Sequence, residues 1–239
     1  MTQAHFVSVE RRGELAWITI DRADKANALL PDTMGELTAQ LRAAAADAAV
    51  KAIVLTGAGN RAFSGGVDIR TPSQLPKPEA MKLRSQRFSE LLLAAAELPK
   101  PVVAAMNGIA SGGGAMLALV CDRVVAVQEA AFALPEIDLG GPTFPAIAIL
   151  RHLAGAGIAA DLVQTGRKMS VTEAAAHGLV AEVVPAGALQ ARAEAAAMLL
   201  GSKPARAFAL NKQWLNKPMV AGLHAAHDDM AAMRAAGGH

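Results

Sequence analysis

Two glycine-bearing loops and one glutamate supply the residue types that could do chemistry. The first loop contains Ser64-Gly65-Gly66-Val67-Asp68-Ile69, and the second contains Ser111-Gly112-Gly113-Gly114. Each follows a short apolar run of strand length, and the second opens a helix-compatible run from Ala115 to Leu119. Glycine permits backbone conformations that turn amides outward, and a helix start adds unpaired N–H groups and positive dipole. One amide from each loop, from Val67 and Gly113, meeting on a single oxygen would form an oxyanion hole. Losing one such donor typically costs roughly 3 kcal/mol. The plain alternative is a crowded turn whose glycines only permit close packing.

An oxyanion hole stabilises an enolate once a base removes the proton beside a carbonyl. Glu136 is the leading base. It follows an apolar strand and precedes a glycine- and proline-rich stretch, Gly140-Gly141-Pro142. Partial desolvation there would raise its pKa toward a useful range. A capping or surface glutamate fits the same spacing. Asp138 would share a face with Glu136 if the backbone were extended. Asp68 reads as a residue that satisfies loop amides. Ser64 lacks a local base and the GxSxG elbow of a nucleophile. His224 and His227 share a helical face without a third metal ligand nearby, so surface histidines are the simpler reading. His152 and His177 read as ordinary helical positions, and Cys121 as a buried residue. Neither loop has the phosphate-binding GxxxxGK or GxGxxG spacing, which disfavours a nucleotide fold.

The elements that would position these groups alternate in type. Strands are expected at 6–10, 15–20, 52–55, 102–106, 123–127 and 131–134. Pro31-Asp32 opens a helix to about Ala46, and Thr71 to Glu79, with three prolines, reads as a loop before a helix from Met81 to Glu97. Further helices are expected at 146–153 and 156–165. Ser170 with Glu173 forms a capping box. After Pro185 the pattern becomes helical, with segments at 188–200, 204–215 and 218–236, separated by Gly201-Ser202-Lys203 and Asn216-Lys217.

Composition narrows the class. The chain has 239 residues, 53% of them hydrophobic, which suffices for one large core with a small appendage. Aromatics are 3% with no Tyr, and 23 basic residues face 21 acidic ones, which argues against nucleic-acid binding. Cys121 is the sole cysteine. A reducing, cytoplasmic setting is expected, with no membrane segment.

Four pieces, in order, carry a resemblance: Asp24-Lys25-Ala26-Asn27-Ala28-Leu29; Val54-Leu55-Thr56-Gly57 with Ala62-Phe63-Ser64-Gly65-Gly66-Val67-Asp68-Ile69; Lys100-Pro101 with Asn107-Gly108 and Gly112-Gly113-Gly114; and Cys121-Asp122 with Pro135-Glu136-Ile137 and Leu139-Gly140. The chain resembles the enoyl-CoA hydratase/isomerase, or crotonase, family over roughly residues 5 to 185. The resemblance implies an α/β fold, a crotonase-like spiral of ββα units followed by a C-terminal helical region. Residues 1–185 would form the core with the acyl-CoA site, and 186–239 a region for oligomerisation and site covering. Homotrimers or dimers of trimers are implied. Coenzyme A would serve only as the substrate's thioester carrier, with no metal and no other cofactor. By motif match, Val67 and Gly113 hold the thioester oxygen, and Glu136 is catalytic. Lys25 approaches the CoA phosphates, and Ala28, Gly66, Asp68 and Ile69 border the rest of CoA.

The departures from the family bear on the reaction. Family hydratases carry a second glutamate two residues after the glycine triplet, where this chain has Met116. Phe144 stands where dienoyl-CoA isomerases of the family place an aspartate. One carboxylate and an oxyanion hole suffice to move a double bond, so enoyl-CoA isomerisation by Glu136 is the expected reaction. Hydration of a 2-enoyl-CoA is the alternative. A thioester hydrolase and an inactive crotonase-fold interaction protein are further ones. Arg84, Arg87 and Lys212 are possible phosphate neighbours that read equally as solvated helix charges.

Overall fold

A computed structural model describes residues 6–236. The chain coils in repeating strand–strand–helix units. The first is β1 (Val7–Arg12), β2 (Leu15–Ile20) and α1 (Pro31–Ala46); the second is β3 (Ala52–Gly57), β4 (Ala62–Ser64) and α2 (Lys77–Glu97). The third is β5 (Val102–Met106), β6 (Ile109–Ser111) and α3 (Gly113–Leu119); the fourth is β7 (Arg123–Val127), β8 (Ala131–Ala133) and α4 (Phe144–Leu153). Then come α5 (Gly155–Thr165), β9 (Lys168–Ser170), α6 (Val171–Ala176), β10 (Glu182–Val184), α7 (Leu189–Gly201) and α8 (Ala205–Ala235).

The first unit gives both of its strands to one sheet, and the second, third and fourth each give one strand to each of two sheets. The larger sheet runs β1-β2-β3-β5-β7-β10 and is parallel from β2 onward. Its inner strands are apolar on both faces, as a doubly covered parallel sheet requires; every residue of β5 is buried. The smaller sheet runs β4-β6-β8-β9, with β4, β6 and β8 parallel. This is the crotonase-like spiral followed by a helical region. The helix α7 packs on β3, β5 and β7, and α8 packs on α2 and α4.

Two expectations need correcting. The loop after Asp68 is shorter than its three prolines suggest, because α2 begins at Lys77 with Pro78 in its first turn, where a missing N–H costs nothing. The last two helices are one, α8, running through Pro218. Proline removes one ladder bond there, to the carbonyl of Trp214, but both residues are exposed and water can satisfy the freed oxygen. Burial on both sides of Pro218 holds the rod together: Lys212, Met219 and Leu223 are buried, and Asn216 Nδ2 donates to the Ala96 carbonyl at 2.8 Å.

Lys212 is therefore not a solvated charge. Its ammonium sits 2.7 Å from Asp122 Oδ2 and also donates to the carbonyls of Ala95 and Lys100. Asp122 in turn accepts from the Val102 amide, so this pair ties α8 to the start of β5. Cys121 is buried beside it, and burial, with the neighbouring Asp122 charge, pushes its thiol up to about 12. The thiol is inert at neutral pH.

Candidate active site

The loops leaving β4, β6 and β8 start from neighbouring parallel strands and so emerge side by side. They bring Val67, Gly113 and Glu136 to one end of the small sheet. The first loop is held from below by Leu29, whose amide donates to the Gly66 carbonyl while the Asp68 amide donates to the Leu29 carbonyl. In such a parallel bridge the central residue of the loop points its own N–H away from the partner. Among the described residues, the Val67 amide has no acceptor. The Gly113 amide stands at the first position of α3, where a helix leaves its N–H groups unpaired.

The approach of the two loops explains their glycines. Gly66 has φ +92° and Gly112 φ +51°, the left-handed region that only glycine enters cheaply. A Cβ at Gly66 would lie 2.6 Å from the Ser111 carbonyl oxygen and 3.1 Å from the Gly113 nitrogen. A Cβ at Gly113 would meet Val67 Cγ2 and the Phe88 ring at 3.0 Å. The two free amides thus belong to touching backbones. Two asparagines brace the strand ends beneath. Asn27 Nδ2 donates to the carbonyls of Ala58 and Ala62, and Asn107 Nδ2 to those of Gly57 and Gly59.

Glu136 reaches over this junction. A Cβ at Gly112 would lie 2.8 Å from Glu136 Oε1, so the missing side chain makes room for the carboxylate. Its Oε2 is buried and, among the described residues, has no hydrogen-bond partner. Burial pushes the Glu136 carboxyl above its ordinary range, partly offset by a hydrogen bond to its own backbone. Asp138 does not join it. Glu136 is helical in backbone and a short 3-10 turn spans Ile137–Leu139, so the extended geometry that would align the two carboxylates is absent. Asp138 is exposed and faces Gly166.

Asp68 is occupied differently. Arg22 Nη1 donates to Oδ2 at 2.6 Å, the amides of Arg70 and Thr71 donate to Oδ1, and the Thr71 hydroxyl adds a further bond to Oδ2. Burial alone would raise this carboxyl. Arg22 and the Thr71 and Arg70 donors outweigh it and hold the group well below the usual carboxylate range. Ser64 is fully buried, donating to the Asn27 carbonyl and accepting from the Gly66 amide, which leaves it a structural role.

The two loops and Glu136 border one cavity of about 980 Å³. Lys25, Ala28, Gly66, Val67, Asp68, Ile69, Gly113 and Glu136 all line it. Lys25 and Ile69 are exposed at its rim, whereas Met116 is buried one helical turn behind Gly112 and also lines the wall. Arg87 and Lys212 lie elsewhere; Arg87 pairs with Glu90 on an exposed helix face. Sequence reasoning overlooked Arg22, Phe88 and Arg234, and read His227 as a surface histidine. Only Asp68 pointed to Arg22, by needing a cation. The α2 and α8 residues become neighbours through tertiary packing alone. Of the two histidines on α8, His227 lines the cavity and His224 is exposed. Among the described residues, no three His, Cys, Asp or Glu side chains are grouped to hold a metal ion, and no helix is long and apolar enough to cross a membrane.

Comparison with known proteins agrees with this architecture. The family profile described as enoyl-CoA hydratase/isomerase matches residues 10–234. The chain is 36% identical to the short-chain-enoyl-CoA hydratase of Clostridium acetobutylicum over 217 residues, covering 89% of this chain and 82% of that one. It is also 36% identical to the crotonyl-CoA hydratase of Syntrophomonas wolfei, there spanning 65% of the relative's length. Among solved structures, an enoyl-CoA hydratase from Mycobacterium avium subsp. paratuberculosis superposes with a TM-score of 0.86 at 29% identity, covering 98% of this chain and 90% of that one. An enoyl-CoA hydratase/isomerase from Xanthobacter autotrophicus gives 0.86 at 29% identity, with 95% and 86% covered. With its coil of ββα units, its paired glycine loops and a profile match along nearly its whole length, the chain belongs to the enoyl-CoA hydratase/isomerase family and is an enzyme of that family.

Proposed function

We propose that the protein adds water reversibly to a 2-enoyl-CoA thioester, with Glu136 as the proton-transferring group. The observation that carries this reading is the buried, unpartnered Oε2 of Glu136 beside the two free amides of Val67 and Gly113. Relatives described as hydratases support hydration over the double-bond isomerisation expected from Met116. In this reading the thioester oxygen accepts from both amides. Glu136 takes a proton from water as the oxygen forms its bond to C3. The electron pair of the double bond moves onto the thioester as an enolate. Glu136 then returns the proton to C2. A single carboxylate completes the cycle because it is regenerated as an anion. Its raised pKa suits it to both steps. Lys25, exposed at the rim, would face the CoA phosphates, while Ala28, Gly66, Asp68 and Ile69 would border the remainder of CoA.

The test is hydration of a 2-enoyl-CoA in deuterium oxide. The expected result is loss of the conjugated thioester, deuterium at C2 and a strong loss of rate in Glu136→Gln. Undiminished turnover by that variant overturns the assignment. Isomerisation is kept as a second reading on one observation: Met116, which cannot accept a proton, lines the cavity where family hydratases carry their other acid. With a 3-enoyl-CoA, it predicts conjugation without net uptake of water.

Two further parts of the reading concern assembly. We take residues 1–185 as the unit bearing the catalytic loops, and 186–239 as the region that covers the site and joins subunits. Leu223, His227 and Met230 on the cavity wall support covering. Exposed Met198, Leu199, Leu210, Trp214 and Leu215 support a homo-oligomeric contact, measurable by light scattering as a trimer or hexamer.

A further inference from the structure

The cavity continues beyond Glu136 between α2 and α8, and this part of its wall carries charge that enolate chemistry does not use. Phe88 marks where α2 passes Gly113. One turn toward the N-terminus of α2, Arg84 and Ser85 line the cavity, and Arg234 faces them from α8. Arg84 Nη2 donates to the Thr71 carbonyl at 3.2 Å, while its Nε is buried and, among the described residues, has no partner. Arg234 Nη2 donates to Ser85 Oγ at 2.9 Å. Among the described residues, neither guanidinium has a carboxylate partner. By contrast, Arg22 holds Asp68, and Arg167 holds both Asp161 and Glu173. Both guanidiniums are half-buried on the cavity wall with neutral partners only, which leaves them able to take an anion from a ligand.

We infer that the chamber selects thioesters whose acyl chain ends in a carboxylate, gripped by Arg84 and Arg234. An apolar tail would desolvate both charges without compensation, whereas a carboxylate accepts several charge-assisted bonds from a guanidinium fork. Met81 and Met230, which line the same wall, give the methylene stem apolar, adaptable contact. The inference rests on the acyl-CoA reading of the cavity and names the class of acyl group.

Binding of saturated, unreactive thioesters tests it independently of turnover. Isothermal titration would compare glutaryl-CoA and adipoyl-CoA with pentanoyl-CoA, hexanoyl-CoA and free CoA, on the wild-type protein and on Arg84→Met and Arg234→Met. We expect the wild type to prefer the carboxylated member of each equal-length pair by roughly 10- to 100-fold, the range of charge-assisted hydrogen bonds. That preference should shrink in each variant. Equal affinity within each pair on the wild type overturns the inference, whether or not the variants fold. A parallel loss for all ligands including free CoA also overturns it, because the arginines would then serve the CoA phosphates. Absence of binding by every CoA ligand sinks the acyl-CoA reading itself, an outcome distinct from binding without preference.

Discussion

The loops after β4 and β8 each carry a carboxylate shielded from water, and the two are built in opposite ways. Asp68 is saturated: a guanidinium, a hydroxyl and two backbone amides share its oxygens. Among the described residues, one oxygen of Glu136 has no hydrogen-bond partner. Burial acts on both in the same direction, yet the first ends well below the usual carboxylate range and the second above it. The donors around each group decide the difference. A satisfied acid stiffens the loop that presents the Val67 amide. An unsatisfied one is free to exchange a proton, at some cost to stability.

Exchanging the roles of the two acids should break this contrast. Glu136→Gln is expected to lower turnover by roughly 10²- to 10⁴-fold, the usual span for a lost general acid–base, while its melting temperature holds or rises. Steady-state rates and calorimetry on one preparation check both halves. Asp68→Ala should do the reverse and cost about 3–5 kcal/mol of stability, because it strands Arg22 in a buried site; denaturant titration reads this. Met116→Glu sharpens the comparison. It sets a second carboxylate one turn from Gly112, where like charge should move the acid limb of the pH–rate profile upward by about one unit.

The smallest effect is in the pH dependence of stability. Asp68 is depressed in the folded state, so its contribution is present above the unfolded value near ~3.9 and is lost as the pH falls below it. Glu136 is raised, so its contribution has the other sign. It is complete below the unfolded value near ~4.3 and is lost as the pH rises through the folded one. Melts across the acid range should therefore show Glu136→Gln gaining on the wild type with rising pH. Asp68→Asn should fall behind the wild type over a lower interval, as the pH rises toward the unfolded value near ~3.9.

Much of this was legible in the sequence, for reasons that differ from element to element. The glycine loops are visible because the left-handed backbone at Gly66 and Gly112 demands glycine, and that demand is local. Glu136 stands out because it follows an apolar strand. The Ser170 cap appears as expected, its side chain accepting from the Glu173 amide. What escaped reading depends on distant partners. Nothing near Pro218 announces that burial on either side keeps α8 continuous. Lys212 looks like any helix lysine until Asp122, 90 positions away, is placed beside it. Arg84 and Arg234 acquire meaning only when α2 and α8 pack together.

The parallel pairing of β4, β6 and β8 has a consequence for how such a protein can change. Val67, Gly113 and Glu136 follow strands of three successive coils, spaced by the strand repeat of about 4.8 Å. That spacing is enforced by main-chain bonds, indifferent to which side chain each turn displays. A new residue on one coil therefore alters the reagent without shifting the other two, and the scaffold can trade one reaction for another by single replacements.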